Sequence, residues 1–289
     1  MEFGRLITAM VTPFDEQGLI DWDQTKRLMD YLIEEQKTES LVICGTTGES
    51  PTLSEAEKLE LFKFTVNYSR GRCKIIAGTG SNSTAHSIAL TEAAEKCGVD
   101  GILLVAPYYN RPNQEGLYRH FKAIAQATVL PVILYNVPSR TAVSISAETT
   151  IALSKIPNII ATKECAGLDQ VAEIAANTED GFKIYSGDDS SFLPALSVGA
   201  YGLISVSSHI AGSKIKDMID AFVNGDTTAS AKLHQHLLPL FKGLFKIPNP
   251  VAVKYALVQR GLQVGSVRLP LVDPTEEEAK EINELIAKY

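Results

Sequence analysis

The chain has 289 residues, of which 45% are hydrophobic and 21% charged, with a formal net charge of -7. That acidic balance leaves no basic footprint for a nucleic-acid backbone, and no uninterrupted apolar run approaches the ~20 residues of a membrane span. The length suits two ordinary domains or one large barrel.

The N-terminal stretch MEFGRLITAMVTPFDEQG is broken by charge too early for a signal peptide. Cys44, Cys73, Cys97 and Cys165 are scattered and form no CxxC pair, as expected of free thiols in a reducing compartment. A cytoplasmic location is the resulting expectation.

Strand-like runs then alternate with helical patterns. LITAMVTPF is followed by an amphipathic segment from Trp22 to Glu35, with Leu28, Tyr31 and Leu32 at helical spacing. SLVICG precedes a helix opened by Ser54, with Glu55 and Glu57 in its first turn. KIIAGTG leads to a helix from Ser83 to Cys97, closed by Gly98. GILLVAP and a helix from Asn113 to Ala127 come next. PVILYNVP, a helix from Ser146 to Ile156, IIATKECAG, FKIYSGDD and YGLISVS complete the series.

Eight strand-plus-helix units in about 225 residues predict an α/β fold of the (β/α)8 TIM barrel type, whose usual size is ~250 residues. An open doubly wound sheet fits less well, because VTPF follows the first strand where a glycine fingerprint would be expected. Beyond Asn224 the strand signals stop, and Thr227–Phe245, Val251–Arg260 and Thr275–Lys288 read as helices. The expected organisation is a barrel over residues 1–225 carrying the active site and a C-terminal helical extension over 226–289, packed on it or used for association.

Two of these strands carry the chemistry. Side chains alternate along a strand, so Ile133, Tyr135 and Val137 share one face and Ala161 and Lys163 share another. If the strands are neighbours, Tyr135 and Lys163 point into one interior. Only a neutral amine attacks a carbonyl carbon, and an ordinary lysine of pKa ~10.4 is almost wholly charged at pH 7. Burial among apolar strands favours the neutral form, so a lysine beside a phenol there is a candidate covalent catalyst.

Reactive groups in such a barrel gather at the C-terminal ends of the strands. Those ends are rich in hydroxyls and glycines: Thr46 and Thr47; Tyr108 and Tyr109; Tyr135 to Arg140; Lys163 and Glu164; Gly187 and Asp188; Ser205 to Ser208. In GTTGES, Gly45 and Gly48 allow a tight turn whose N–H groups can converge on a carboxylate. No metal set is expected: His234 and His236 are two apart and make a poor chelate on a helix, and Asp188 with Asp189 reads as an acidic turn. Cys165 has no His placed to activate it.

GTTGES, APYYNRP, YNVPSRT and IIATKECAG, in this order and spacing, resemble the pyruvate-dependent lyase and aldolase family, in particular its dihydrodipicolinate synthase branch as opposed to its N-acetylneuraminate lyases. The resemblance spans essentially the whole chain. It implies that Lys163 forms an imine with pyruvate, that no other cofactor is used, and that Tyr135 donates and accepts protons there. By the same likeness Thr46 links Tyr135 to Tyr109, which reaches in from a partner subunit. Thr47 and the turn amides hold the pyruvate carboxylate, with Ile204 and Gly187 as further substrate contacts. Arg140 holds the carboxylate of a second substrate, aspartate semialdehyde. Sialic acid enzymes typically lack that arginine. A dimer of dimers is the implied assembly, and the implied pathway leads to diaminopimelate and lysine.

The effector pocket departs from lysine-inhibited members. His86 stands where an acidic residue is common, and Glu55 and Lys58 where histidines are frequent. Ser50, Asn82 and Tyr108 would fit that pocket. Weak or absent feedback by lysine is expected.

Overall fold

The structure, a computed structural model, describes residues 2–289. Its centre is a closed barrel of eight parallel strands paired in chain order: β1 (Leu6–Ala9), β2 (Ser40–Ile43), β3 (Lys74–Gly78), β4 (Gly101–Val105), β5 (Val132–Asn136), β6 (Ile159–Glu164), β7 (Lys183–Ser186) and β8 (Gly202–Ser205). Pairing of β8 with β1, Ile7 opposite Ile204, closes the ring. This is the (β/α)8 fold expected from the alternation of strand and helix patterns.

Around the barrel run α1 (Trp22–Asp30), α2 (Glu55–Ser69), α3 (Thr84–Lys96), α4 (Gln114–Gln126), the short α5 (Pro138–Thr141), α6 (Ala147–Leu153), α7 (Leu168–Asn177), α8 (Phe192–Ser197) and α9 (Ser208–Val223). Three more follow: α10 (Thr227–Gly243), α11 (Val251–Gln259) and α12 (Glu276–Ile286). Among the described residues no helix is long and apolar enough to cross a membrane.

The strands are apolar on both faces because both are covered. Ile7, Val42, Ile76, Leu103, Ile133, Ala161, Tyr185 and Ile204 fill the interior as one cluster. Their alternating neighbours, including Leu6, Leu41, Ile75, Leu104 and Leu134, belong to the shell packed beneath the helices. That shell also takes in Leu237, Leu240 and Phe241 of α10, Ala252, Val253 and Leu257 of α11, and Ile282 of α12. The floor is plugged by Tyr185, whose hydroxyl donates to the Gly4 carbonyl at 2.9 Å. The opposite end remains the open mouth.

Local sequence fixes the helix ends. The Ser54 side chain and Glu57 cap α2 reciprocally, and Thr275 and Glu278 do the same for α12. Ser83, Asn113 and Ser146 cap α3, α4 and α6. Gly98, at φ +84°, supplies the left-handed residue that ends α3.

Two segments differ from the sequence expectation. The helix read over Trp22–Glu35 is α-helical only to Asp30 and continues as a π-helical stretch, Tyr31–Glu35. In YNVPSRT the strand stops at Asn136 and α5 turns the chain back. Pro138 occupies its first turn, where a missing N–H costs nothing.

Candidate active site

The neighbouring strands β5 and β6 set the centre of the mouth. Tyr135 and Lys163 are register partners, as are Lys163 and Tyr185 on the other side. Lys163 and Tyr135 are both buried, and the Lys163 Nζ lies 4.2 Å from the centroid of the Tyr135 ring. Tyr185 also flanks the lysine, but its hydroxyl is committed to the barrel floor. Tyr135 is therefore the phenol available at the mouth.

Gly187 leaves room for this lysine. A Cβ there would approach Lys163 Cε to 2.8 Å and would also collide with Cys165 Sγ. Burial pushes the Cys165 thiol up to about 12, so it is no competing nucleophile at neutral pH. Ile204 is buried on β8 in the same interior cluster.

A cavity of about 650 Å³ opens above, walled in part by Gly45, Thr46, Gly78, Gly80, Val105, Tyr135, Val137 and Arg140. Lys163, Gly187, Ile204, Thr47 and Tyr109 are not part of that wall. The structure thus brings Thr46, Tyr135 and Arg140 to one cavity, with Lys163 behind Tyr135. Among the described residues the Arg140 guanidinium has no hydrogen-bonding or ionic partner, which leaves its fork free for a carboxylate. Arg140 is carried on the exposed turn of α5.

The turn after β2 is held by bonds from Glu49 N–H to the Thr46 carbonyl at 3.1 Å and from Ser50 N–H to the Gly45 carbonyl at 3.3 Å. The Thr46, Thr47 and Gly48 N–H groups bond to no other described residue, which leaves three successive donors free, as an anion nest requires. Gly78 has no side chain because a Cβ would collide with the Cys44 carbonyl of this turn. Thr47 is buried, and its hydroxyl accepts from Asn249 Nδ2 at 2.9 Å. No hydrogen bond joins Thr46 to Tyr135 or to Tyr109 within the described chain. Tyr109 is 90% exposed, at φ +72° on the β4–α4 loop. Tyr108, not Tyr109, lines the cavity.

Several residues around this centre were given no partner by the sequence reading. Asn136 and Glu164 are the register partners directly after Tyr135 and Lys163 and face outward. Asn136 Nδ2 lies 3.0 and 3.1 Å from the two Glu164 oxygens, Ala166 N–H donates to Oε1 at 2.7 Å, and Gln170 Nε2 to Oε2 at 2.9 Å. The signal was a polar residue following each catalytic candidate at the end of an apolar run. Asp189, buried beyond β7, receives the Ser205 hydroxyl and the Val206 and Ser207 amides, locking the β7 and β8 loops together. Burial raises its carboxyl above the ordinary range. His209 is buried neutral: Nδ1–H donates to the Val206 carbonyl at 2.8 Å, while Nε2 accepts from Val11 N–H at 3.2 Å. Burial holds it down to about 4.

Among the described residues no group of three or more His, Cys, Asp or Glu side chains is placed to hold a metal ion.

A closed parallel eight-stranded barrel that holds a buried lysine against a phenol at its mouth has the architecture of a lyase. The chain belongs to the dihydrodipicolinate synthetase family, whose model matches residues 2–289. It is 54% identical to 4-hydroxy-tetrahydrodipicolinate synthase of Bacillus subtilis over 290 aligned residues, covering 100% of both chains. A crystal structure of dihydrodipicolinate synthase from Bacillus anthracis superposes with a TM-score of 0.98 at 49% identity, covering 100% of this chain and 99% of that one. The lysine-bound enzyme from Cyanidioschyzon merolae gives 0.97 at 43% identity, covering 99% and 98%.

Burial raises the Glu164 carboxyl from 4.5 to about 7, although the donors from Ala166, Asn136 and Gln170 pull the other way. The folded protein therefore binds this proton more tightly than the unfolded chain does. The stabilisation is complete below about pH 4.5 and is lost as pH rises through about 7. Relative to Glu164→Gln, the unmodified protein should lose about 3 kcal/mol of unfolding free energy across that window. Urea titrations at several pH values measure it, and parallel pH dependences for the two proteins would refute the assignment.

Proposed function

We propose that this chain condenses pyruvate with L-aspartate 4-semialdehyde, through an imine on Lys163, to 4-hydroxy-tetrahydrodipicolinate on the route to diaminopimelate and lysine. The observation that carries the reading is the Lys163–Tyr135 pair at the mouth of a closed barrel, in a chain 54% identical along its whole length to an enzyme named for that product.

The chemistry follows from the groups present. The neutral Lys163 amine adds to the keto carbon of pyruvate, and loss of water from the carbinolamine leaves an iminium that withdraws electrons from the methyl carbon. Loss of a methyl proton gives an enamine, whose carbon adds to the aldehyde carbon of the second substrate as the aldehyde oxygen takes up a proton. The amino group of that substrate then displaces Lys163 from the iminium carbon, closing the ring and restoring the free lysine. Every step moves a proton, and Tyr135 is the shuttle. The free amides of Thr46, Thr47 and Gly48 suit the pyruvate carboxylate, with Thr47, Ile204 and Gly187 around it. Arg140 suits the carboxylate of the semialdehyde. Its presence argues against a sialic acid lyase, whose second substrate presents a polyol.

Thr46 and Tyr109 extend the relay, with Tyr109 supplied by a partner subunit. Its exposed ring on a left-handed residue supports that role. At least a dimer, and in the fullest form a dimer of dimers, follows from this reading. The barrel over residues 1–225 carries the site and residues 226–289 form the helical extension. The imine is the only cofactor chemistry required, and four free cysteines suit a cytoplasmic enzyme.

Borohydride reduction with pyruvate should leave a stable adduct on Lys163, found by peptide mass spectrometry and absent in Lys163→Ala. Coupling of pyruvate to aspartate semialdehyde should far exceed cleavage of N-acetylneuraminate; the reverse ranking would overturn the substrate assignment. Sedimentation velocity should give a species of at least twice the chain mass, and a monomer with full activity would remove Tyr109 from the relay. Lysine should inhibit weakly. Ser50, Lys58, Asn82, His86 and Tyr108 line the cavity with no carboxylate among its wall residues to pair with an ammonium, and the Glu55 carboxylate is engaged by His86 Nδ1 at 3.3 Å. Strong inhibition at low lysine concentration would contradict this.

A further inference from the structure

A second lysine is buried more completely than Lys163 and lies outside the chemistry described above. Lys254, on α11, is 1% exposed. Its Nζ donates to Glu49 Oε1 at 3.0 Å, to the Thr12 carbonyl at 3.1 Å and to the Ser266 carbonyl at 2.7 Å, so all three ammonium hydrogens are used. The other Glu49 oxygen accepts from Arg268 N–H at 2.8 Å. Glu49 belongs to the turn after β2 and is held at φ +57°, a conformation strained for a non-glycine residue.

The partners on either side of Glu49 are fixed as well. The Thr12 hydroxyl donates to the Gly48 carbonyl at 2.7 Å, and Asn249 Nδ2 donates to the Thr47 hydroxyl at 2.9 Å. Since an amide NH2 can only donate, Thr47 accepts from Asn249 and its own hydroxyl proton stays free for a ligand. Three successive residues of the turn, Thr47, Gly48 and Glu49, are thus clamped, two of them from beyond residue 245. A buried ion pair is a poor way to gain stability alone, because apolar residues of similar volume often serve as well or better. Its directed bonds are suited to fixing a conformation.

We propose that the Lys254–Glu49 ion pair positions the carboxylate nest, so that the C-terminal helices help to build the keto acid site. The proposal rests on the reading of that turn as the pyruvate carboxylate site. Lys254 and Glu49 touch no reacting atom; they act through Thr46, Thr47 and Gly48, which makes them positioning residues.

Borohydride trapping of Lys163 against pyruvate concentration, with steady-state kinetics for both substrates, tests it. In Lys254→Met the pyruvate concentration for half-maximal trapping should rise about 10-fold to 100-fold, as expected for a misplaced binding group. The adduct should still form at saturating pyruvate, and KM for the semialdehyde should change far less. Lys254→Arg, which keeps the charge, should recover part of the loss. If Lys254→Met fails to fold, the double variant Glu49→Gln with Lys254→Met leaves no unpaired buried charge and carries the same expectation. Lys246→Ala, which breaks an exposed pair with Glu281 on α12, should leave trapping unchanged. A folded Lys254→Met or double variant with unaltered half-saturation would overturn the positioning role alone. No adduct in the unmodified protein would overturn the reading of the site, and this proposal with it.

Discussion

An amine enclosed by the apolar interior of a closed barrel is the constraint to which the rest of the mouth answers. Strand alternation and parallel register put Lys163 opposite Tyr135, and the same alternation sends the next residues, Asn136 and Glu164, outward as a hydrogen-bonded pair. One register therefore fixes two pairs at once. A slip of one residue would turn both catalytic candidates out of the interior and bring an amide and a carboxyl in. The outer pair is a polar lock on the register that the inner pair needs, and Ala166 and Gln170 extend it to the loop that follows β6 and to α7.

Backbone strain is concentrated at the same end of the barrel. Cys44, Glu49, Tyr109, Arg111 and Ala142 all have positive φ without being glycine, and all lie in loops that follow β2, β4 or β5. Such residues persist only where their surroundings over-determine them. For Glu49 those surroundings are the Lys254 ammonium and the Arg268 amide, and for Ala142 they are the end of α5 after Pro138. Lys37 and Arg70 share the sign of φ but sit away from the mouth, close to helix C-termini, where one left-handed residue is ordinary.

The barrel was legible because its signals are local: strand runs of the right length, serine and asparagine caps, and a terminating glycine at 98. The interior placement of Tyr135 and Lys163 needed only a period of two and the assumption of neighbouring strands. What stayed hidden depends on contacts between residues far apart in the chain. Nothing near Glu49 announces that it pairs with Lys254, some two hundred residues later, although a lone lysine within the apolar helix AVKYALV was a readable oddity. The π-helical end of the first helix was equally unreadable, because its residues carry an ordinary helical pattern. Tyr109 was singled out through a likeness to a family and not through any property of its own loop.

On the proposed reading, the two carboxylate-binding groups differ in kind. The nest after β2 is built from buried residues tied to α11 and to the end of β1, so it is fixed before anything binds. Arg140 rides on a single exposed turn without a partner. A keto acid bound in the rigid nest presents its carbonyl to Lys163, which lies behind the cavity wall. An aldehyde held by Arg140 sits against the exposed wall of that cavity. The enamine exists only once the imine has formed, so on this reading imine formation precedes carbon–carbon bond formation, and the stiffness of the nest serves the step that must come first.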